Sequence, residues 1–317
     1  MTEGSTEVHP PLQIPPGMEN QPRFNPDGAM RMVNMEMGAF GGGTVALLLQ
    51  LYNPAVAHEL NKTGKLEDNP ISRLHANAVD GIKMIFGTWK DNQAIAAKVN
   101  DQHARIPAAM KQEHLAWVGA TLIYGSILGY ETFVGKLSDA KKDEYIKEGA
   151  KPLFQQLDLE PGSLPDSYEG LEEYIFGRIR SGRYRVTDEA KKLAPYVLLS
   201  QTLLPDVHAS VEGGVKKSDL RRPRELLRRV TVDFKAPGEI LMSPAKLITL
   251  GLMQQNEALD QVGREFGFQR LNAPQARVFD LFASGVRKAV PHLPGRIRYH
   301  KLARLAQKRD SQIEKAA

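Results

Sequence analysis

Apolar residues recur at the spacing of an α-helix along almost the whole chain, and the strict alternation that marks a half-buried strand is nearly missing. Glycine and proline punctuate this pattern. The periodicity predicts helices over about 29–51, 54–61, 70–87, 90–106, 113–134, 138–156, 168–182, 188–203, 221–231, 240–266, 273–289 and 297–312. The fold class that follows is all-α, a multi-helix single domain around one core. With 317 residues, 42% of them hydrophobic, the chain can bury a large core, and no linker forces a second domain.

Three parts follow in order. Residues 1–28 are rich in Pro, Gly and polar side chains, so they read as a flexible tail, mobile or draped over the surface. Residues 29–295 form the helical body, and 296–317 a basic C-terminal helix. Local signals support the boundaries. Ser138 can cap the segment "DAKKDEYIKEG", and Asp166 with Glu169 resembles a capping box ahead of "LEEYIFGRIR". The stretch "KAPGEILMSP", 235–244, reads as a loop. The glycine run in "GAFGGGTVALLLQ" has neither a preceding strand nor a following Lys-Ser/Thr. It therefore reads as close helix packing or a bend rather than a phosphate loop.

Composition removes several classes of chemistry. There is no cysteine, hence no disulfide, no thiolate nucleophile and no thiolate-bound metal. No G-x-S-x-G elbow, H-E-x-x-H or Glu-x-x-His pair occurs. The N-terminus lacks a basic segment followed by an apolar run, and no run approaches the length of a membrane span, which points to a cytoplasmic protein. From Arg287 to Ala317 there are nine Lys or Arg against Asp310 and Glu314. A basic amphipathic helix of this kind suits peripheral membrane contact; the plainer reading is a solvated terminal helix. No nucleic-acid signature accompanies it. Nothing here sets the oligomeric state.

One histidine stands out. In "VNDQHARI", His103 shares a helical stripe with Ala96, Val99 and Ile106, and Pro107 ends the helix. An imidazole on an apolar stripe is most often a hydrogen-bonded core residue; a ligand role is the sharper alternative. Three neighbouring helices carry His58 with Glu59, His75 and His103, so a non-haem iron site of two histidines and a carboxylate is a further alternative. Arg73 and Asn77, four apart, share a helix face and offer an anion-binding pair; a surface arginine beside an exposed amide is the plainer reading.

The order of several short segments is itself informative. They are "ALLLQLYNPAVA" (46–57), "NPISRL" (69–74), "MIFGT" (84–88), His103, "LAWVGATL" (115–122), "FVGKLSDAKKDEY" (133–145), "LP" (164–165) and "REFGF" (264–268). This set resembles the haem-dependent oxygenase family that includes the latex-clearing rubber oxygenases and the side-chain-cleaving oxygenase of mycophenolic acid biosynthesis. The resemblance runs from about Gly38 to Phe268.

It implies a globin-like helical core holding haem b, with His103 as the proximal iron ligand and Arg73 beside the haem. Asn77 stands where relatives have Thr. Ala76 stands where rubber oxygenases have a lysine that can occupy the distal side, which implies an open or water-bound distal face. Gly119 stands where many relatives have His. Glu59 is the counterpart of an acidic residue upstream of the arginine, and Glu59 or His58 is the candidate distal base.

The expected function is that of a haem b-dependent oxygenase acting with O2 on a hydrophobic, isoprenoid- or polyketide-like small molecule. A non-haem iron enzyme using His58, His75 and His103, and a non-catalytic haem- or lipid-binding protein, are the alternatives.

Overall fold

The computed structural model describes residues 13–62, 79–106, 111–202 and 244–316. The expected helix at 221–231 lies outside these residues, as does 235–243 of the expected loop, while Pro244 opens a helix. Among the described residues every regular element is helical, and β-type pairing is confined to two isolated bridges, Pro22 with Thr88 and Glu36 with Tyr299.

The elements in chain order are α1 (Ala29–Met35), a 3₁₀ segment (Met37–Gly42), α2 (Gly43–Leu51), α3 (Pro54–Lys62), α4 (described over 79–86) and α5 (Trp89–Ala104). Next come α6 (Gln112–Phe133), α7 (Asp139–Glu144), a π turn (Tyr145–Ala150), α8 (Lys151–Gln155), α9 (Tyr168–Arg180) and α10 (Asp188–Thr202). The chain ends with α11 (Pro244–Met253), α12 (Glu257–Glu265), α13 (Ala273–Ala289), a 3₁₀ turn (Val290–His292), α14 (Gly295–Arg298) and α15 (Lys301–Ala316).

Helix α6 is the central post. It packs against the 3₁₀ segment, α2, α9 and α13 and buries Trp117, Ala120, Ile123, Tyr124 and Ile127. Helix α2 is apolar nearly all round because it is enclosed, with Val45, Leu48, Leu49 and Leu51 at 1% exposure or less. Each such side chain contributes roughly 1.5–3 kcal/mol by leaving water. Trp117 donates its indole N–H to Leu49 O at 2.9 Å, so the largest buried ring leaves no unsatisfied donor.

The continuous helix expected over 29–51 is instead broken by the 3₁₀ segment, and α6 is the cause. A Cβ on Gly42 would lie 1.8 Å from Gly125 O, and one on Gly129 would lie 2.3 Å from Ala39 O. The two backbones approach so closely that only glycine fits, and the tighter turn lets the chain pass. The glycine run is a packing device. Similarly, the helix expected over 138–156 contains a π turn, which seats Gly149 against Met30 and brings the Tyr145 hydroxyl within 2.9 Å of Asn34 Nδ2.

Two caps were within a residue of expectation. Ser138 does cap α7, accepting from Lys141 N. At α9 the cap is Ser167, accepting from Gly170 N, while Asp166 pairs with Lys151. The expected helix over 240–266 divides because Asn256 caps α12 through Ala258 N at 2.8 Å.

The first and last described segments dock on the body. Residues 19–23 run beside the start of α5, where Trp89 N donates to Gln21 O and Lys90 N to Glu19 O, each at 3.1 Å; Phe24 is buried. At the other end the helix expected over 297–312 breaks at Tyr299, which is extended to pair with Glu36. Around it Arg298 grips the buried carboxylate of Glu36, His300 reaches Asn34 O at 3.1 Å, and buried Arg31 meets Asp310 at 2.6 Å. No helix among the described residues is long and apolar enough to cross a membrane.

Candidate functional site

Helix α5 is started by a reciprocal capping box. Asp91 N donates to Thr88 Oγ1 at 3.2 Å, and Thr88 N donates to Asp91 Oδ2 at 2.9 Å. Its inner face then runs through Asn92, Ala96, Asn100 and His103. Asn92 is fully buried and donates to Met84 O at 2.6 Å, which ties α5 to α4. Lys98 adds an ion pair to Asp80 at 2.6 Å.

His103 lies on this face, in the last turn. The ring is half-buried with Nδ1 sheltered from solvent, and its carbonyl accepts from Ile106 N at 2.8 Å. Three residues earlier, on the same side of the helix, Asn100 donates to Gln156 O at 3.0 Å. The side chain of Gln156 is 8% exposed. Neither of its polar atoms, nor Asn100 Oδ1, has a hydrogen-bond partner among the described residues. The loop that carries Gln156 is pinned to the start of α6, since Gln112 donates to Asp158 O and accepts from Glu160 N, both at 2.8 Å. Asp158 turns this loop with a left-handed φ of 62°, which Asp tolerates better than most residues.

The other candidates are distributed as follows. His58 is 61% exposed on α3, with Nδ1 3.7 Å from Glu189 on α10, so it faces the surface. Glu59 beside it is half-buried. Arg73, His75, Ala76 and Asn77 lie outside the described residues. Among the described residues no three His, Asp or Glu side chains come together to hold a metal ion.

Gly119, buried on α6, has a physical reason to lack an imidazole. A Cβ there would already meet the Phe154 ring at 3.3 Å and Leu164 at 3.5 Å. Phe154 and Leu164 occupy the space.

Sequence reasoning passed over Asn100 and Gln156. The signal for Asn100 was present, three residues before His103 on the same stripe; Gln156 had none, because it enters from another helix end. Tyr52 was also missed. It is buried, and its hydroxyl donates to Glu265 Oε1 at 2.7 Å. Burial first, and then the Glu265 carboxylate, push its ionisation well above the ordinary phenol range, so it stays a neutral donor. This bond joins "ALLLQLYNPAVA" to "REFGF", so these two segments meet in space to hold the scaffold.

A family model described as ER-bound oxygenase mpaB/B′/rubber oxygenase, catalytic domain, matches residues 30–288. No curated protein and no solved structure matches the chain.

Proposed function

The chain belongs to the mpaB/rubber oxygenase catalytic-domain family, and from that premise we propose that it is a haem b-dependent oxygenase acting with O2 on a hydrophobic small molecule, with His103 as the proximal iron ligand. Family membership supports oxygenase chemistry. The observation that carries the ligand assignment is the half-buried imidazole of His103 on the inner face of α5, its Nδ1 sheltered from solvent in the last turn of the helix.

The residues present suit such a group. Haem b needs one neutral nitrogen ligand, which His103 supplies; there is no cysteine to impose thiolate chemistry. The buried amide atoms of Asn100 and Gln156 have no hydrogen-bond partner among the described residues, and the Gln156 amide N–H could serve a carboxylate edge of such a group. When bound, haem b supplies the redox chemistry with O2.

The chain's own residues then hold and orient. His103 anchors the group from the end of α5. Asn100 fixes the helix against the Gln156 loop. Arg73 is proposed to hold an anionic edge of the cofactor and Asn77 to donate from its amide. A distal carboxylate takes an allylic or phenolic proton from the substrate. Glu59 suits that role better than His58, because His58 faces solvent at 61% exposure.

The test is an absorption spectrum of protein made with added haem precursor, with a pyridine haemochrome assay. The expected result is about one haem b per chain and a Soret band that is lost or altered in His103→Ala. Full haem content with an unchanged spectrum in that variant overturns the ligand assignment. A chain that takes up no haem overturns the haem reading altogether. Oxygen consumption with a reductant and an isoprenoid probe separates an oxygenase from a non-catalytic carrier.

A further inference from the structure

We infer that the outward face of α13, with the basic surface around it, docks the protein on an anionic lipid membrane. Helix α13 turns Phe279 and Ala283 into the core and leaves Val278, Leu281 and Phe282 at 54%, 66% and 41% exposure. With Gly285 these residues follow i, i+3, i+4, i+7, so they form one stripe. The stripe is open, since a Cβ on Gly285 would meet nothing within 4 Å. Scattered exposed apolar side chains are ordinary, but a continuous stripe on a helix whose other side is already buried marks an interaction face.

Charge names the occupant. Residues 266–309 contain ten Lys or Arg and one acidic residue, Asp280, a formal +9. The whole chain is +5, so the remainder carries −4. Arg270, Arg298 and Arg309 are paired with Asp260, Glu36 and Asp310, and the other cations still leave the segment that bears the stripe net positive. Arg277 and Lys288, both exposed, border it. A second copy docking by a two-fold would set this net positive surface against itself, which disfavours it. An anionic bilayer attracts this surface, repels the rest, and accepts apolar side chains at the headgroup boundary.

The C-terminal helix shares in this contact. Ala303 and Ala306 are buried in the core while Leu305 is 50% exposed, so α15 brings mainly cations to the surface and α13 supplies most of the inserting side chains. The proposed contact is peripheral, through a helix face that lies along the membrane surface. This inference stands independently of haem.

The test is co-sedimentation of the full chain with vesicles of phosphatidylcholine alone and of phosphatidylcholine with phosphatidylserine. The expected result is binding to the anionic vesicles only, falling steeply as salt is raised. Leu281→Glu, at a site with little packing to lose, should weaken binding about tenfold or more, and so should Arg277→Glu with Lys288→Glu; circular dichroism should be unchanged in each. Wild-type protein that ignores anionic vesicles overturns the inference, as does equal binding by Leu281→Glu. A self-association that Leu281→Glu abolishes, in protein that does not bind vesicles, assigns the face to a second copy instead.

Discussion

Asn100 donates its side-chain amide to the main-chain carbonyl of Gln156 at 3.0 Å, and this contact sets the last turns of α5 against the loop after α8. It leaves Asn100 Oδ1 and both side-chain polar atoms of Gln156 buried without a hydrogen-bond partner among the described residues. An unsatisfied buried polar group costs about 1–3 kcal/mol. Gln156→Leu keeps much of the volume and removes two of these atoms. The haem-free protein should gain about 1 kcal/mol, while haem should leave the protein faster. Thermal unfolding and haem transfer to an acceptor protein measure the two effects. A stability gain with unchanged haem loss would show that the carboxamide does not serve the cofactor.

Neighbouring glycines should behave in opposite ways. Gly42→Ala places a Cβ 1.8 Å from Gly125 O and must push α6 away, at a cost of about 3 kcal/mol or more. Gly43 has an ordinary helical conformation and open space, so Gly43→Ala should gain about 0.5–1 kcal/mol. Urea denaturation of the two variants checks the contrast. Equal effects would mean that the backbone crossing is looser than described.

The pair that closes the chain's far end is Glu36 with Arg298. Glu36 is 3% exposed and accepts from Arg298 Nε at 2.8 and 2.9 Å. Arg298→Met strands a buried carboxylate and should cost about 3–5 kcal/mol. Adding Glu36→Gln should recover most of that, because the charge left unpaired is then gone. A double-mutant cycle by equilibrium denaturation reads the coupling; independent, additive effects would refute it.

Acid should loosen the N-terminus of α1. The Glu144 carboxylate accepts from Lys141 Nζ at 2.6 Å and from Ala29 N at 2.7 Å, where Gly28 offers no side-chain cap. The Lys141 bond is the largest cause that holds its pKa below the ordinary carboxylate value; burial opposes it, and the Ala29 amide and the Lys141 charge add to the lowering. A depressed folded-state pKa means that the stabilisation is present above the unfolded value and is lost as pH falls through the folded one. Glu144→Gln should cost about 1 kcal/mol near neutrality, and the gap to wild type should close in acid. Melting curves of both proteins from neutral to acid pH test this; a gap that widens on acidification has the wrong sign.

Much of the helical layout was legible. The span expected at 113–134 is found at Gln112–Phe133, and 273–289 at Ala273–Ala289, because the 3.6-residue period and capping side chains are local properties. The breaks within longer runs were not legible. The 3₁₀ segment before Gly43 exists because the α6 backbone lies against it, and the extension at Tyr299 exists because Glu36 pairs with it. No window of sequence contains both partners.

The candidate site divides in the same way. Sequence by itself determined that His103 shares a helical stripe with apolar residues and that its segments follow the order of an oxygenase family, which the match over residues 30–288 supports. Only the tertiary structure decided that Gln156 comes beside Asn100, that Phe154 occupies the space next to Gly119, that His58 faces solvent, and that Tyr52 meets Glu265 from 213 residues away. Periodicity records which way a side chain leaves its own helix. Which group it meets is set by how whole helices pack, and that depends on close contacts between residues far apart in the chain.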